Sequence, residues 1–224
     1  MKKLGKQTIK FDVPPSIVSV ASIVGPKEAN GPLAQYFDQC LDDEFWGEKT
    51  WEKSESKIIK ETVNMAISKS GIASSDIEYC FAGDLLNQCI SSSFGLRELN
   101  IPFIGIFGAC STFVEGLSLG AVFTESCAQN VICAASSHFC SAEKQFRFPL
   151  ELGNQWTVTG AGSAILSKTG NGPYITHITS GKIVDMGIKD ANNMGAAMAP
   201  AALDTLICHF NDTGRSPNYY DAII

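Results

Sequence analysis

The stretch Phe103-Ile104-Gly105-Ile106-Phe107-Gly108-Ala109-Cys110-Ser111-Thr112 decides the fold class. Its first half is a near-continuous apolar run, which reads as a strand with both sheet faces covered. Small residues then turn the chain directly into a helix that runs to about Cys127, and Asn130 to Ser136 supplies the next buried strand. Strand, turn, helix and strand make an α/β unit. Upstream, Ile17 to Val24 reads as a strand ended by Gly25-Pro26, Leu33 to Leu41 as a short helix, and Ile77 to Ala82 as a strand. Ser54 to Ser70 reads as a helix with serine caps, an apolar face of Ile58, Ile59, Val63, Ala66 and Ile67, and Gly71 as its stop. Ser91 to Leu99 is a short helix halted before Pro102. Downstream, Thr157 to Ser167 and Tyr174 to Val184 read as strands, and Asn192 to Phe210 as a helix followed by Gly214.

Slid on itself by 143 residues, the chain places Glu61 on Asp204, Thr62 on Thr205, Gly71 on Gly214 and Glu78 on Asp221. The repeated unit is a helix, a glycine, a short polar loop and a strand opening at an acid. The unit is common in α/β proteins, so chance and an internal repeat both account for it at this point. On the repeat reading, residues 1–185 are a first half carrying the Cys110 turn and 186–224 are the start of a second. The ending Ala222-Ile223-Ile224 then predicts a truncated second half, because chain ends normally leave the core.

The 224 residues are 45% hydrophobic and 18% charged, which supports a packed core rather than a disordered chain. A net charge of −6 excludes nucleic-acid binding through a broad basic surface. The uncharged run from Leu99 to Val114 is interrupted by polar residues, whereas a membrane span needs roughly 20 mostly apolar ones. The N-terminus is basic at Lys2, Lys3 and Lys6, but Lys10 and Asp12 break any apolar segment after it, so no secretory signal is read. Most of the eight cysteines sit in apolar runs and read as free thiols in a reduced, intracellular compartment. Without a CxxC pair, and with the three histidines scattered, the spacing predicts no metal site. Thr159-Gly160-Ala161-Gly162-Ser163 precedes a strand rather than opening a helix, so no dinucleotide and no other cofactor is expected.

Candidate chemistry centres on Cys110. At a strand-to-helix turn it faces a helix N-terminus, where a thiolate is favoured, and Gly108 and Ala109 permit a nucleophile elbow. A buried structural cysteine at the same junction is the competing reading. His138, after the next strand, is the nearest candidate base, and a loop histidine bonded to backbone is its alternative. The long connection that includes Arg147, Trp156 and Thr157 mixes cations, aromatics and amides, which suits binding as well as a self-packed loop.

Several segments together resemble the stage V sporulation protein AD family of the thiolase-like superfamily. They are Ile23-Val24-Gly25-Pro26-Lys27-Glu28, Gly31-Pro32-Leu33, Gly83-Asp84-Leu85-Leu86-Asn87-Gln88, Gly108-Ala109-Cys110-Ser111-Thr112, Ser136-Ser137-His138-Phe139-Cys140-Ser141-Ala142-Glu143 and Trp156-Thr157-Val158-Thr159-Gly160-Ala161-Gly162. The resemblance implies an α/β, thiolase-like layered fold of two similar halves with mixed five-stranded sheets, the second half truncated. It also implies that Cys110 holds the nucleophile position of thiolases and ketoacyl synthases. Members of the sporulation family are binders of dipicolinic acid, needed with the other proteins of their operon for its uptake into the developing spore. The expected ligand-binding residues are thus Cys110, Ser136, His138, Arg147, Trp156 and Thr157, with no metal. The alternative is a cysteine-dependent acyltransferase with Cys110 as the catalytic residue. A homodimer, peripheral on the cytoplasmic side of the spore inner membrane, is further implied. The chain departs from the family in the missing end of its second half and in a shortened connection between Gln155 and Trp156.

Overall fold

A computed structural model describes residues 1–146, 157–190 and 193–224 of the protein. In chain order its strands and α-helices are β1 (Lys2–Leu4), β2 (Thr8–Lys10), β3 (Ser16–Val24), α1 (Pro26–Ala29), β4 (Gln39–Cys40), α2 (Trp51–Ser70), β5 (Tyr79–Gly83), α3 (Ile90–Leu96), β6 (Phe103–Gly105), α4 (Thr112–Ser126), β7 (Asn130–Ser137), α5 (Phe139–Phe146), β8 (Gly160–Ser167), β9 (His177–Thr179) and α6 (Met194–Thr213). They form two compact units, one of Pro15–Tyr174 and one of Met1–Pro14 with Ile175–Ile224.

The larger unit is built on a mixed six-stranded sheet in the order β4-β3-β8-β7-β5-β6. β5 runs parallel to β6 and β7, and β8 runs antiparallel to β7 and β3. Five of these strands meet expectation, and the sixth, β4, adds two residues at one edge. Side chains alternate across the sheet. Cys80, Ala82, Ile132 and Ala134 face α2, where they pack with the fully buried Ile58, Ile59, Val63 and Ala66. Each large aliphatic side chain removed from water there contributes roughly 1.5–3 kcal/mol. Phe81, Val131 and Cys133 face α4 on the other side. Gly116 and Gly120 let α4 lie close to that face: a Cβ on Gly120 would stand 2.8 Å from the Cys133 sulfur. Phe123 of α4 meets Tyr79 and Phe81 edge-on at 4.9 and 5.0 Å. Burial holds the thiols of Cys80 and Cys133 protonated, the first pushed up to about 12.

The smaller unit pairs β1, β2 and β9 in an antiparallel sheet with α6. The carboxylate of Asp212 near the end of α6 accepts the backbone N–H groups of Lys6, Gln7 and Thr8 at 2.9, 2.9 and 3.0 Å, clasping the β1–β2 turn. Those donors hold its carboxyl well below the usual carboxylate range.

The echo at 143 residues holds at the ends of two helices and the turns after them, but not at the strand: β5 follows Glu78, whereas the described residues after Asp221 form none. α2 and α6 are each 20 residues long, and Thr50 and Asn193 cap them by accepting the N–H three residues on. Gly71 and Gly214 end them in the left-handed conformation, at φ of 69° and 68°. Single 3-10 turns follow at Ser74–Asp76 and Pro217–Tyr219. The face differs: α2 buries Ile58 and Ile59, while Met198 and Leu206 of α6 are 51% and 36% exposed.

Other expectations are corrected. Leu33 to Leu41 is no helix, only a 3-10 turn at Ala34–Tyr36 followed by β4. Leu33 and Tyr36 are exposed, so no core rewards a helix, whereas Gln39 and Cys40 gain parallel pairing with β3 and Asp38 accepts the Ser22 N–H at 2.9 Å. α2 starts three residues before Ser54, because Thr50 is the cap and Ser54 is buried, its hydroxyl donating to the Glu44 carbonyl at 2.8 Å. β6 is an edge strand of three residues with Phe103 and Phe107 exposed, not a strand covered on both faces. Tyr174 to Val184 shrinks to β9 because only His177–Thr179 find partners on β2.

Candidate functional site

Strands β3, β5, β6 and β7 point the same way, so the loops after them share one edge of the sheet, where β8 begins. Open α/β sheets bind ligands at the carboxyl ends of their strands. Gly25–Glu28, Asp84–Cys89, Ile106–Ser111, His138–Ser141 and Thr157–Thr159 gather there.

Cys110 is exposed, within a 3-10 turn at Ala109–Ser111 that leads into α4. Ala109 before it has φ of +49°, a left-handed conformation that a β-carbon disfavours. The turn is pinned from three sides. The Gly108 N–H donates to Thr112 Oγ1 at 3.2 Å and the Ser111 hydroxyl to the Gly108 carbonyl at 2.7 Å. The single proton of that hydroxyl is shared with the carboxylate of Glu115, which folds back over Gly108. Beneath the turn, Gly83 lies against the Ile106 carbonyl, which accepts from Cys89 Sγ at 3.2 Å. Gln88 and Cys89 are both left-handed, at φ of 61° and 53°. Asp84 holds their loop, accepting from the N–H groups of Leu86 and Ser92 at 2.8 and 2.7 Å and from the Ser92 hydroxyl at 2.6 Å. Strained backbone of this kind persists where its surroundings over-determine it, and it clusters at functional sites.

His138 is fully buried. Its Nε2 donates to the Glu44 carbonyl at 2.8 Å and its Nδ1 accepts the Cys140 N–H at 3.2 Å, so both ring nitrogens are engaged within the fold. Ser136 is nearly buried and spends its hydroxyl on Glu55 Oε1 at 3.0 Å, while Ser141 donates to Glu55 Oε2 at 3.0 Å. Thr157 is half-buried in the segment leading to β8. Arg147 and Trp156 lie outside the described residues. The structure thus brings Cys110, Ser136, His138 and Thr157 to one end of the sheet, with Cys110 exposed. A cation not singled out from sequence joins them: Lys27 Nζ stands 5.4 Å over the Phe139 ring.

A buried acid pair also escaped the sequence reading. Glu55 is fully buried on α2, and its carboxyl is pushed up to about 7 by burial and then by the charge of Asp84, against the hydroxyls of Ser141 and Ser136. The signal was present: Glu55 falls on the same helical face as Ile58, Ile59 and Thr62.

The sequence pattern of stage V sporulation protein AD (SpoVAD) matches residues 5–224. The chain belongs to the stage V sporulation protein AD family. It is 41% identical over 231 residues to the stage V sporulation protein AD of Bacillus subtilis (strain 168), an alignment that covers all of this chain and 68% of that protein. Among solved structures, an OleA variant from Xanthomonas campestris superposes with a TM-score of 0.62 at 14% identity, over 99% of this chain and 76% of that one. For the 3-oxoacyl-[acyl-carrier-protein] synthase III of Aquifex aeolicus VF5 the TM-score is 0.47 at 13% identity, over 70% of this chain and 55% of that one. The chain therefore spans about half to three quarters of its relatives' lengths. The OleA likeness shows the fold, which is thiolase-like, and the sporulation family sits on it. Among the described residues no helix is long and apolar enough to cross a membrane.

Proposed function

We propose that this sporulation protein binds dipicolinic acid, pyridine-2,6-dicarboxylate, alone or as its calcium chelate, for uptake into the developing spore. The observation that carries this reading is the placement of Cys110, exposed on a pinned and strained turn at the ligand-binding edge of the sheet in a chain of this family. Lys27 on the same edge offers a cation to a ligand carboxylate. His138, bonded on both ring nitrogens, does not offer Cys110 the base that acyl transfer needs at its nucleophile.

Calorimetric titration of the protein with dipicolinate, with and without calcium, is expected to give a saturable isotherm that Cys110→Trp, filling the turn, weakens at least tenfold. Absence of saturable heat overturns the reading. Covalent acylation of Cys110 after incubation with acyl-CoA, seen by mass spectrometry, would establish the acyltransferase instead.

The same reading places the protein peripherally on the cytoplasmic side of the spore inner membrane with the other proteins of its operon. It also makes the protein a homodimer. β6 is the edge strand of its sheet and displays Phe103, 38% exposed, with Phe107 two residues beyond its end 57% exposed, which suits pairing with a second copy. Sedimentation equilibrium is expected to show a dimer that Phe107→Asp converts to monomer. A monomeric wild type refutes the dimer.

A further inference from the structure

The basic N-terminus is not used by the site at Cys110, and the fold gives it a setting. Register pairs Lys2 with Lys10 across β1 and β2, and Lys10 with His177 across β2 and β9. Directly opposed residues share a face, so these three side chains form one row across the small sheet. Thr179, two residues from His177, lies on that face too and is bonded to His209 Nδ1 at 2.7 Å, which sets the end of α6 over it. Arg215 follows α6, its guanidinium 4.3 Å from the Tyr219 ring centre.

Arg215 is positioned by a directed chain of hydrogen bonds. Its Nη1 donates to the Tyr220 oxygen at 3.2 Å, and the Tyr220 hydroxyl donates to His209 Nε2. His209 Nδ1–H then donates to Thr179, Thr179 to Thr8 at 2.9 Å, and Thr8 to Asp212 at 3.0 Å. The chain ends on a carboxylate already occupied by three backbone N–H groups. Lys2 and Lys10 have the Asp12 carboxylate near them, itself ion-paired with the N-terminal amine at 2.7 Å, while Arg215 meets no carboxylate among the described residues' ion pairs. Burial first, and then the charges of Arg215, His209 and Lys10, hold the His177 imidazole below its usual range. In a chain of net charge −6, a concentrated positive face of this kind attracts anions.

The geometry points to a second ligand site on the smaller unit, in which Lys2, Lys10, His177 and Arg215 receive a phosphate-bearing anion, either the headgroup of an anionic phospholipid or free inorganic phosphate. The site is independent of the dipicolinate reading, since it shares no residue with the Cys110 edge. Two arms test it on the whole chain. Inorganic phosphate is titrated while the His177 imidazole resonances are followed by NMR, and the protein is sedimented with phosphatidylglycerol or with phosphatidylcholine vesicles. Saturable shifts at His177, or sedimentation with phosphatidylglycerol alone, support the site. Vesicle binding that phosphate displaces identifies a lipid headgroup, and shifts without vesicle binding identify the free anion. Lys10→Gln, at an exposed position that leaves the Arg215 chain intact, is expected to weaken whichever arm responds about fivefold. The proposal is overturned if neither arm responds, or if Lys10→Gln and Arg215→Gln both bind like the wild type.

Discussion

Gly83→Ala is expected to cost the larger unit about 3 kcal/mol, at the upper end of what overpacking does. A Cβ on Gly83 would stand 1.8 Å from the Ile106 carbonyl oxygen, 2.9 Å from its carbon and 2.8 Å from Thr112 Cγ2. Two of these neighbours are backbone and cannot swing aside as a flexible side chain does. Gly83 ends β5 in register with Ala135 of β7, so the strand cannot retreat without breaking that pairing. The strain must then pass to the other side, into Ile106 and the turn that carries Cys110. Urea unfolding measures the first consequence, and dipicolinate affinity the second, which should fall with stability. A variant within 1 kcal/mol of the wild type would show that the Ile106 segment yields, and that the turn is less firmly seated than the contacts indicate.

Glu55→Gln is expected to act in the opposite direction, and only at high pH. Folded Glu55 keeps its proton to about pH 7, against 4.5 for an unperturbed glutamate. The folded state therefore binds more protons than the unfolded chain between these values. Stability from this group is fully present below about pH 4.5 and is lost as pH rises through 7, a difference of about 3 kcal/mol. Glutamine copies the protonated acid in shape, and the Ser136 and Ser141 hydroxyls can turn to suit its amide. Chemical denaturation at pH 5 and pH 8 should give near-equal stabilities at pH 5 and a more stable variant at pH 8. Identical pH slopes for the two proteins would mean that Glu55 ionises without penalty.

These two residues also mark what could be read from the chain in advance. The periodic face of α2, the stop at Gly71 and the strand–turn–helix around Cys110 were legible because each depends on neighbours close in sequence. The echo was legible at its closing glycines, Gly71 and Gly214, for the same reason, while the caps Thr50 and Asn193 were not read. β6 was misjudged because apolar content cannot distinguish a strand covered on both faces from one at an edge whose aromatics remain exposed. The segment from Leu33 was misjudged because its pairing with β3 is tertiary, and local helical pattern carries no trace of it. Around the candidate site, the loops reached the expected edge, but hydrogen-bond partners were not foreseeable. Ser136 and His138 read as groups facing a ligand, and their hydroxyl and ring nitrogens are spent on Glu55, Glu44 and Cys140. Only the phase of Glu55 relative to Ile58 and Ile59 marked it as internal.

The way the two units divide the chain sets an order of events during synthesis. The larger unit is one uninterrupted stretch and can close while translation continues. The smaller unit takes its strands from both ends, Met1–Pro14 and Ile175–Ile224, so β2 has no outer partner until β9 is made. At about 5–20 residues per second, that interval is roughly 10 to 30 s. Throughout it, Lys2, Lys3, Lys6 and Lys10 travel as a loose cationic leader on a nascent chain. Asp212, whose carboxylate gathers the β1–β2 turn, arrives later still, and its emergence marks the earliest moment at which that turn can be fastened to α6.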